Sequence, residues 1–261
     1  RTVSNILAET QWVRELARIP AVNVPTPIAT LDDQFVVSAL HEDSGQTICG
    51  VMYTWLEGEE IGDEPTLDQL RRVGQAIAHM HQNKSEFQLT DGAELPTFND
   101  FFWGTEDFLF SVRSTLSPED KTLIKQAHDL IMKFTNELYA TSPVRIIHAD
   151  FHGWNLMWHE DQVFIFDFDD CGFGVEAQDI AVALYWLNTP TADLTLLEGY
   201  RSVRPLPAYS DKAMKALLLQ RRLLLLNYLF ETKNAEHKEM LPAYLKRSIE
   251  LVSTFLTDVT Q

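Results

Sequence analysis

The stretch from Val144 to Ala181, VRIIHADFHGWNLMWHEDQVFIFDFDDCGFGVEAQDIA, decides how the rest of the chain is read. Apolar Val144, Ile146 and Ile147 predict a short buried strand that delivers His148, Ala149 and Asp150 to a loop. Leu156–Trp158, a polar turn His159–Gln162 and a second apolar run Val163–Phe166 predict a hairpin with a four-residue loop. If Trp158 pairs with Val163, Asn155 stands opposite Phe166 and diagonal to Asp167, within side-chain reach at the open end. An amide oxygen and a carboxylate meeting at a hairpin mouth form a hard-oxygen site suited to Mg²⁺. Asp150 lies just upstream, on the loop that enters the same hairpin. The carboxylates of Asp167, Asp169 and Asp170 crowd into four positions, and a bound cation would relieve their repulsion.

The pattern His148-x-Asp150-x4-Asn155, followed across the hairpin by Asp167-Phe168-Asp169, resembles the catalytic and metal loops of the protein-kinase-like fold. Within that fold it is most similar to the aminoglycoside phosphotransferase and choline kinase group. The run FDFDDCGFG-x4-D looks more like the aminoglycoside phosphotransferase and stress-response kinase branches than choline kinase proper. For a chain of this composition, chance supplies roughly 0.02 matches to the first element alone.

The resemblance implies an α+β, protein-kinase-like fold: a mostly helical C-lobe over 61–261 and a truncated N-lobe remnant of helix, two strands and hinge over 1–60. It implies transfer of the γ-phosphate of ATP to a hydroxyl of a small molecule that is aminoglycoside-, choline- or homoserine-like. In that setting Asp150 is the catalytic base or positioner, and Asn155 and Asp167 hold Mg²⁺. His148 fixes the loop structurally, and Asp169 supports the metal side, while Asp170 has no assigned role. Asp179 matches an aspartate that braces the catalytic loop, although a plain helix N-cap accounts for it equally well. In ILAETQWVREL, Glu9 matches the helix glutamate that orients a nucleotide-binding base, against the alternative of a solvated helix acid. In MYTWLEGEE, the backbone around Tyr53 and Trp55 resembles the hinge that meets adenine, with strand core as the commoner fate of such residues.

Composition agrees with this class. With 261 residues the chain is long enough for one large or two smaller domains. A net charge of −17 argues against a nucleic-acid binder and is compatible with a cationic acceptor such as an amine, though solubility alone accounts for it. Cys49 and Cys171 form no disulfide framework and fit a reducing, cytoplasmic setting. No apolar run reaches membrane-spanning length.

Helices are predicted over Val3–Ala17 with Ser4 as cap, from a Thr66–Gln69 capping box onward, from Ser117-Pro118 onward, and over Asp179–Leu187, Ser210–Phe230 and Pro242–Leu256. His79 and His81, near a helix C-terminus, need no ligand role. Strands are predicted over Phe35–Leu40 and Thr47–Trp55, joined by the turn HEDSG. Glu57–Pro65 reads as the connector between lobes, and the aromatic span Phe87–Phe110 as a segment packed on the core or lining a pocket.

The sequence departs from the family in one respect. The glycine-rich loop and the phosphate-gripping basic residue belong before the first helix, and none precedes Arg1. The chain is therefore expected to be a fragment of a longer protein that alone binds nucleotide weakly; tight ATP·Mg binding by calorimetry would contradict this. Arg14 and Arg18, on a helix, do not substitute. Three other readings stand beside the small-molecule kinase: a protein Ser/Thr kinase of the same fold, a catalytically silent kinase-like binding module, and a metallohydrolase using His148-x-Asp150-x-His152.

Overall fold

The computed structural model describes residues 1–43, 45–82, 87–90 and 92–260. In chain order its elements are α1 (Val3–Leu16), β1 (Val37–His41), β2 (Gln46–Gly50), β3 (Glu59–Glu60), α2 (Leu67–Gln82), α3 (Pro118–Thr141) and β4 (Val144–Ile147). A 3₁₀ turn (Gly153–Asn155) follows, then β5 (Leu156–His159), β6 (Gln162–Ile165), β7 (Gly172–Val175), α4 (Glu176–Tyr185), α5 (Pro190–Val203), α6 (Asp211–Glu231) and α7 (Ala235–Thr260). The chain divides into two compact units. One comprises Arg1–Leu95, Ile146–Gly172 and Trp186–Leu206, and the other Pro96–Arg145, Phe173–Tyr185 and Pro207–Gln261.

In the first unit, α1 begins at a capping box built by Thr2 rather than Ser4: Thr2 Oγ1 accepts from the Asn5 N–H and Asn5 Oδ1 accepts from the Thr2 N–H. The Thr66–Gln69 box that opens α2 forms as predicted. Leu70, Val73, Ile77 and Met80 turn inward along α2, whereas Leu67, in its first turn, stays exposed. Helices α2 and α5 pack at backbone contact. Gly74 faces the Leu196 carbonyl and Gly199 faces that of Arg71, leaving no room for a Cβ at either position.

The hairpin β5–β6 adopts the predicted register, Trp158 opposite Val163 and Leu156 opposite Ile165. The acidic connector supplies a third strand, because β3 pairs antiparallel with β5 (Glu59 with Trp158, Glu60 with Met157). The β1–β2 pair is shorter than predicted. Its second strand stops at Gly50, and Tyr53 instead makes an isolated bridge to Pro27. The turn that joins β1 to β2 includes Ser44, outside the described residues.

The second unit is helical. Ile124, Ala127 and Ile131 of α3, Leu219, Leu223 and Leu226 of α6, and Val252 and Phe255 of α7 form its core. The aromatic span 87–110 includes Asp91, outside the described residues; from Pro96 onward it packs inward, with Phe101 and Leu109 in this core. The side chains of Gln220 and Asn227 hold that irregular backbone through the carbonyls of Phe101 and Glu106. Helix α4 starts at Glu176, three residues before the predicted boundary, so Asp179 occupies its first turn and is fully buried rather than capping it. Helix α7 runs longer than predicted and carries Pro242 inside it. Helix α5 is not among the predicted helices, although Thr189 caps it with Pro190 at its first position, the same start signal as Ser117-Pro118.

Candidate active site

His148 is the hub of the loop after β4. Its ring is completely buried, packed on Phe151 and Phe168 with centroids 4.5 and 4.6 Å away. Nδ1 accepts the Asp150 N–H (3.2 Å), which leaves Nε2–H to donate to the Phe166 carbonyl (3.0 Å). One neutral imidazole thus ties the loop bearing Asp150 to the strand that ends beside Asp167.

Asn155 closes the 3₁₀ turn, and its carbonyl accepts the Phe166 N–H at 3.1 Å, the pairing expected from counting back along the hairpin. Its amide NH₂ is committed to Asp150, at 3.1 Å to the backbone carbonyl and 3.0 Å to Oδ2. That orientation leaves the oxygen Oδ1 as the Asn155 atom for a cation. Asp150 Oδ2 also accepts from His152 Nε2 (3.2 Å), a residue that sequence reasoning treated only as a metal ligand.

Asp167 follows β6 in the left-handed region (φ 59°), as does Ala149 (φ 67°) before Asp150. Its carboxyl is pushed up to about 6, first by partial burial and then by the charges and hydrogen bonding of Asp169, with Asp150 and Asp170 adding to the effect. A hard-oxygen pair crowded by further carboxylates fits a divalent cation, which would reverse that repulsion. Among the described residues, no three His, Cys, Asp or Glu side chains form a metal site. Both rings of the His-x-Asp-x-His segment have both nitrogens engaged: His152 Nδ1 accepts the Trp154 N–H (3.2 Å) while Nε2–H faces Asp150. Neither ring keeps a lone pair for zinc, so the metallohydrolase reading has no ligand set here.

Asp167 also lines a cavity of about 570 Å³ within the first unit, a size typical of small-ligand sites. Glu9, Tyr53 and Trp55 line it, together with apolar Val13, Leu56, Met157, Phe166 and Phe168. The Tyr53 hydroxyl donates to Glu9 Oε1 (2.9 Å), and Arg1 pairs with Glu9 Oε2 (2.6 Å). Burial and the Glu9 carboxylate push the Tyr53 phenol well above its ordinary range. Three residues expected to bind nucleotide and one expected to hold metal therefore line one cavity. The apolar lining from Met157 and Phe166 was not foreseen, since strand alternation marks two faces without saying which is covered. Asp179 belongs to the other unit.

Comparison with known proteins decides the family: residues 1–210 match the model of the phosphotransferase enzyme family. The chain belongs to that family. This phosphotransferase is 26% identical over 270 residues to the amicoumacin kinase of Bacillus subtilis (strain 168), covering 96% of this chain and 78% of that one. It is 29% identical over 174 residues to the homoserine kinase of Brucella anthropi, covering 63% of this chain and 51% of that one. Among solved structures, the microcompartment-associated aminopropanol kinase superposes with a TM-score of 0.81 at 24% identity, covering 99% of this phosphotransferase and 83% of that chain. The amicoumacin kinase hAmiN, in complex with AMP-PNP, Ca²⁺ and Ami, gives a TM-score of 0.73 at 22% identity over 96% and 78%. The α+β, protein-kinase-like fold expected from the sequence is the fold of these structures.

Proposed function

We propose that this phosphotransferase moves the γ-phosphate of ATP to a hydroxyl of a small, amine-bearing alcohol. What carries the reading is the single cavity that joins Glu9, Tyr53 and Trp55 to Asp167, itself one hairpin mouth away from Asn155 and Asp150. In this reading the adenine lies on the apolar lining beside Tyr53–Trp55, and the phosphates point toward Asp167. Asn155 Oδ1 and the Asp167 carboxylate would hold Mg²⁺, which when bound neutralises phosphate charge.

Asp150 receives the acceptor hydroxyl. A carboxylate is a weak base at neutral pH, so the main work of this residue is to align the oxygen and take the proton late. His148 holds the backbone on which Asp150 sits, and Asp169 keeps charge beside Asp167. The acceptor class is supported by relatives named for amicoumacin, aminopropanol and homoserine, and by the chain's net charge of −17.

The test is a panel of aminopropanol, homoserine and amicoumacin with Mg·ATP, read as acceptor-dependent ADP release. Asp150→Asn should lower that release at least about 100-fold, the usual weight of a general base, while nucleotide binding persists. Near-normal turnover by Asp150→Asn would remove the assignment.

A further inference from the structure

We propose that His152 is a positioning residue for Asp150: its imidazole N–H is a second donor to the carboxylate oxygen that also accepts from the Asn155 amide.

 It rests on the reading of Asp150 as base. The side chains of Asp150 and His152 are 16% and 20% exposed, so their contact is largely shielded from water. His152 Nε2–H and the Asn155 amide both donate to the same oxygen, Asp150 Oδ2, at 3.2 and 3.0 Å. The imidazole is itself fixed. Its Nδ1 caps the 3₁₀ turn by accepting the Trp154 N–H, which selects the tautomer that carries hydrogen on Nε2. The edge of the ring meets Trp186 at 5.4 Å between centroids in a T-shaped contact.

Asn155 has two duties in this arrangement, since its oxygen faces the cation and its NH₂ faces Asp150. A small amide rotation that suits the one loosens the other. The other nitrogen of His152 is committed to the backbone of the turn, so its Nε2–H keeps the Asp150 carboxylate in place while Asn155 adjusts. Misplacing a reacting group by about 1 Å can cost on the order of 100-fold in rate, so an anchor of this kind acts on kcat rather than on nucleotide affinity.

Two amide substitutions separate this role from simple capping. His152→Asn places an amide oxygen near the position of Nδ1 and keeps the cap, but its NH₂ falls short of Asp150. His152→Gln extends an NH₂ to the position of Nε2 and restores the donor. The readouts are acceptor-dependent ADP release with the aminopropanol, homoserine and amicoumacin panel, and thermal melting of the same proteins. His152→Asn should keep its melting temperature within a few degrees, hold KM for ATP within about two-fold, and lose about 10- to 100-fold in kcat. His152→Gln should recover most of that loss.

Histidine-labelled ¹H–¹⁵N spectra add a readout independent of the acceptor: His152 should appear as the Nε2–H tautomer. Turnover of His152→Asn near that of the unsubstituted protein, no recovery in His152→Gln, or an Nδ1–H tautomer would each overturn the inference. Asp150→Asn is the reference that keeps the two readings apart. If it is inactive while His152→Asn is normal, only the positioning role fails; if it is active, the base assignment fails first.

Discussion

Asp167 is crowded by the carboxylates of Asp169, Asp150 and Asp170, and its titration has a definite sign. Its carboxyl sits at about 6 rather than near the ordinary value of about 4, so between those pH values the folded chain holds a proton that the unfolded chain has released. The contribution of Asp167 to the stability of the metal-free protein therefore falls as pH rises from about 4 to about 6 and is not regained above that. Asp167→Asn removes the repulsion and tolerates the left-handed backbone equally well. Because the side chain is substantially exposed, solvent screening reduces the gain to on the order of 1 kcal/mol at pH 7.5, measurable by denaturant titration without Mg²⁺. The same substitution should abolish acceptor-dependent ADP release. A more stable but inactive variant is the expected outcome, and an unstable one would mean that Asp167 serves the fold instead.

At the scale of elements, close backbone packing positions the site. A Cβ on Gly153 would overlap the Gly62 carbonyl, while Gly62 N–H donates to the Gly153 carbonyl at 3.0 Å and Ile61 N–H to that of Leu156 at 2.9 Å. The connector is thereby pinned along the loop that carries Asp150 and Asn155. Gly153→Ala should cost about 2–3 kcal/mol by overpacking and lower kcat, checked by denaturant melts together with ADP release. Gly74→Ala is the sharper case. In a free helix alanine gains about 1 kcal/mol over glycine, but here the added methyl meets the Leu196 carbonyl. The steric term should win, for a net loss of about 1–3 kcal/mol in the same melts.

These contacts also mark what the sequence could and could not disclose. The hairpin register was readable because polar His159–Gln162 sits between two apolar runs, and register then fixed Asn155 against Phe166. The Thr66–Gln69 and Ser117-Pro118 helix starts were readable from local capping chemistry. The pairing of Glu59–Glu60 with β5 was not, because two exposed acids carry no alternation and their partner lies about a hundred residues on. The second strand is shorter than the sequence predicts for a related reason: Met52, Tyr53 and Trp55 look like strand core, yet Tyr53 turns its hydroxyl to Glu9 and Trp55 is 83% exposed. His152 was visible as a residue but not as a partner of Asp150, since a loop conformation decides which side chains meet.

For the whole molecule, the net charge of −17 has a consequence that composition alone left undecided. If the acceptor is a cationic amino alcohol, the field of the chain raises its local concentration, and salt screens that field over a Debye length of about 10 Å at 0.1 M. KM for aminopropanol should then rise about two- to five-fold between 20 and 300 mM NaCl, whereas a neutral diol should show no such trend. The most direct test of the central claim is calorimetric titration of AMP-PNP, with and without Mg²⁺, into the unsubstituted protein, Asp150→Asn and Asp167→Asn. The predicted result is that Asp150→Asn keeps the Mg²⁺-dependent part of nucleotide binding and Asp167→Asn loses it. Undiminished Mg²⁺-dependent binding by Asp167→Asn would contradict the gathering of Asp150, Asn155 and Asp167 about one cation and one phosphate.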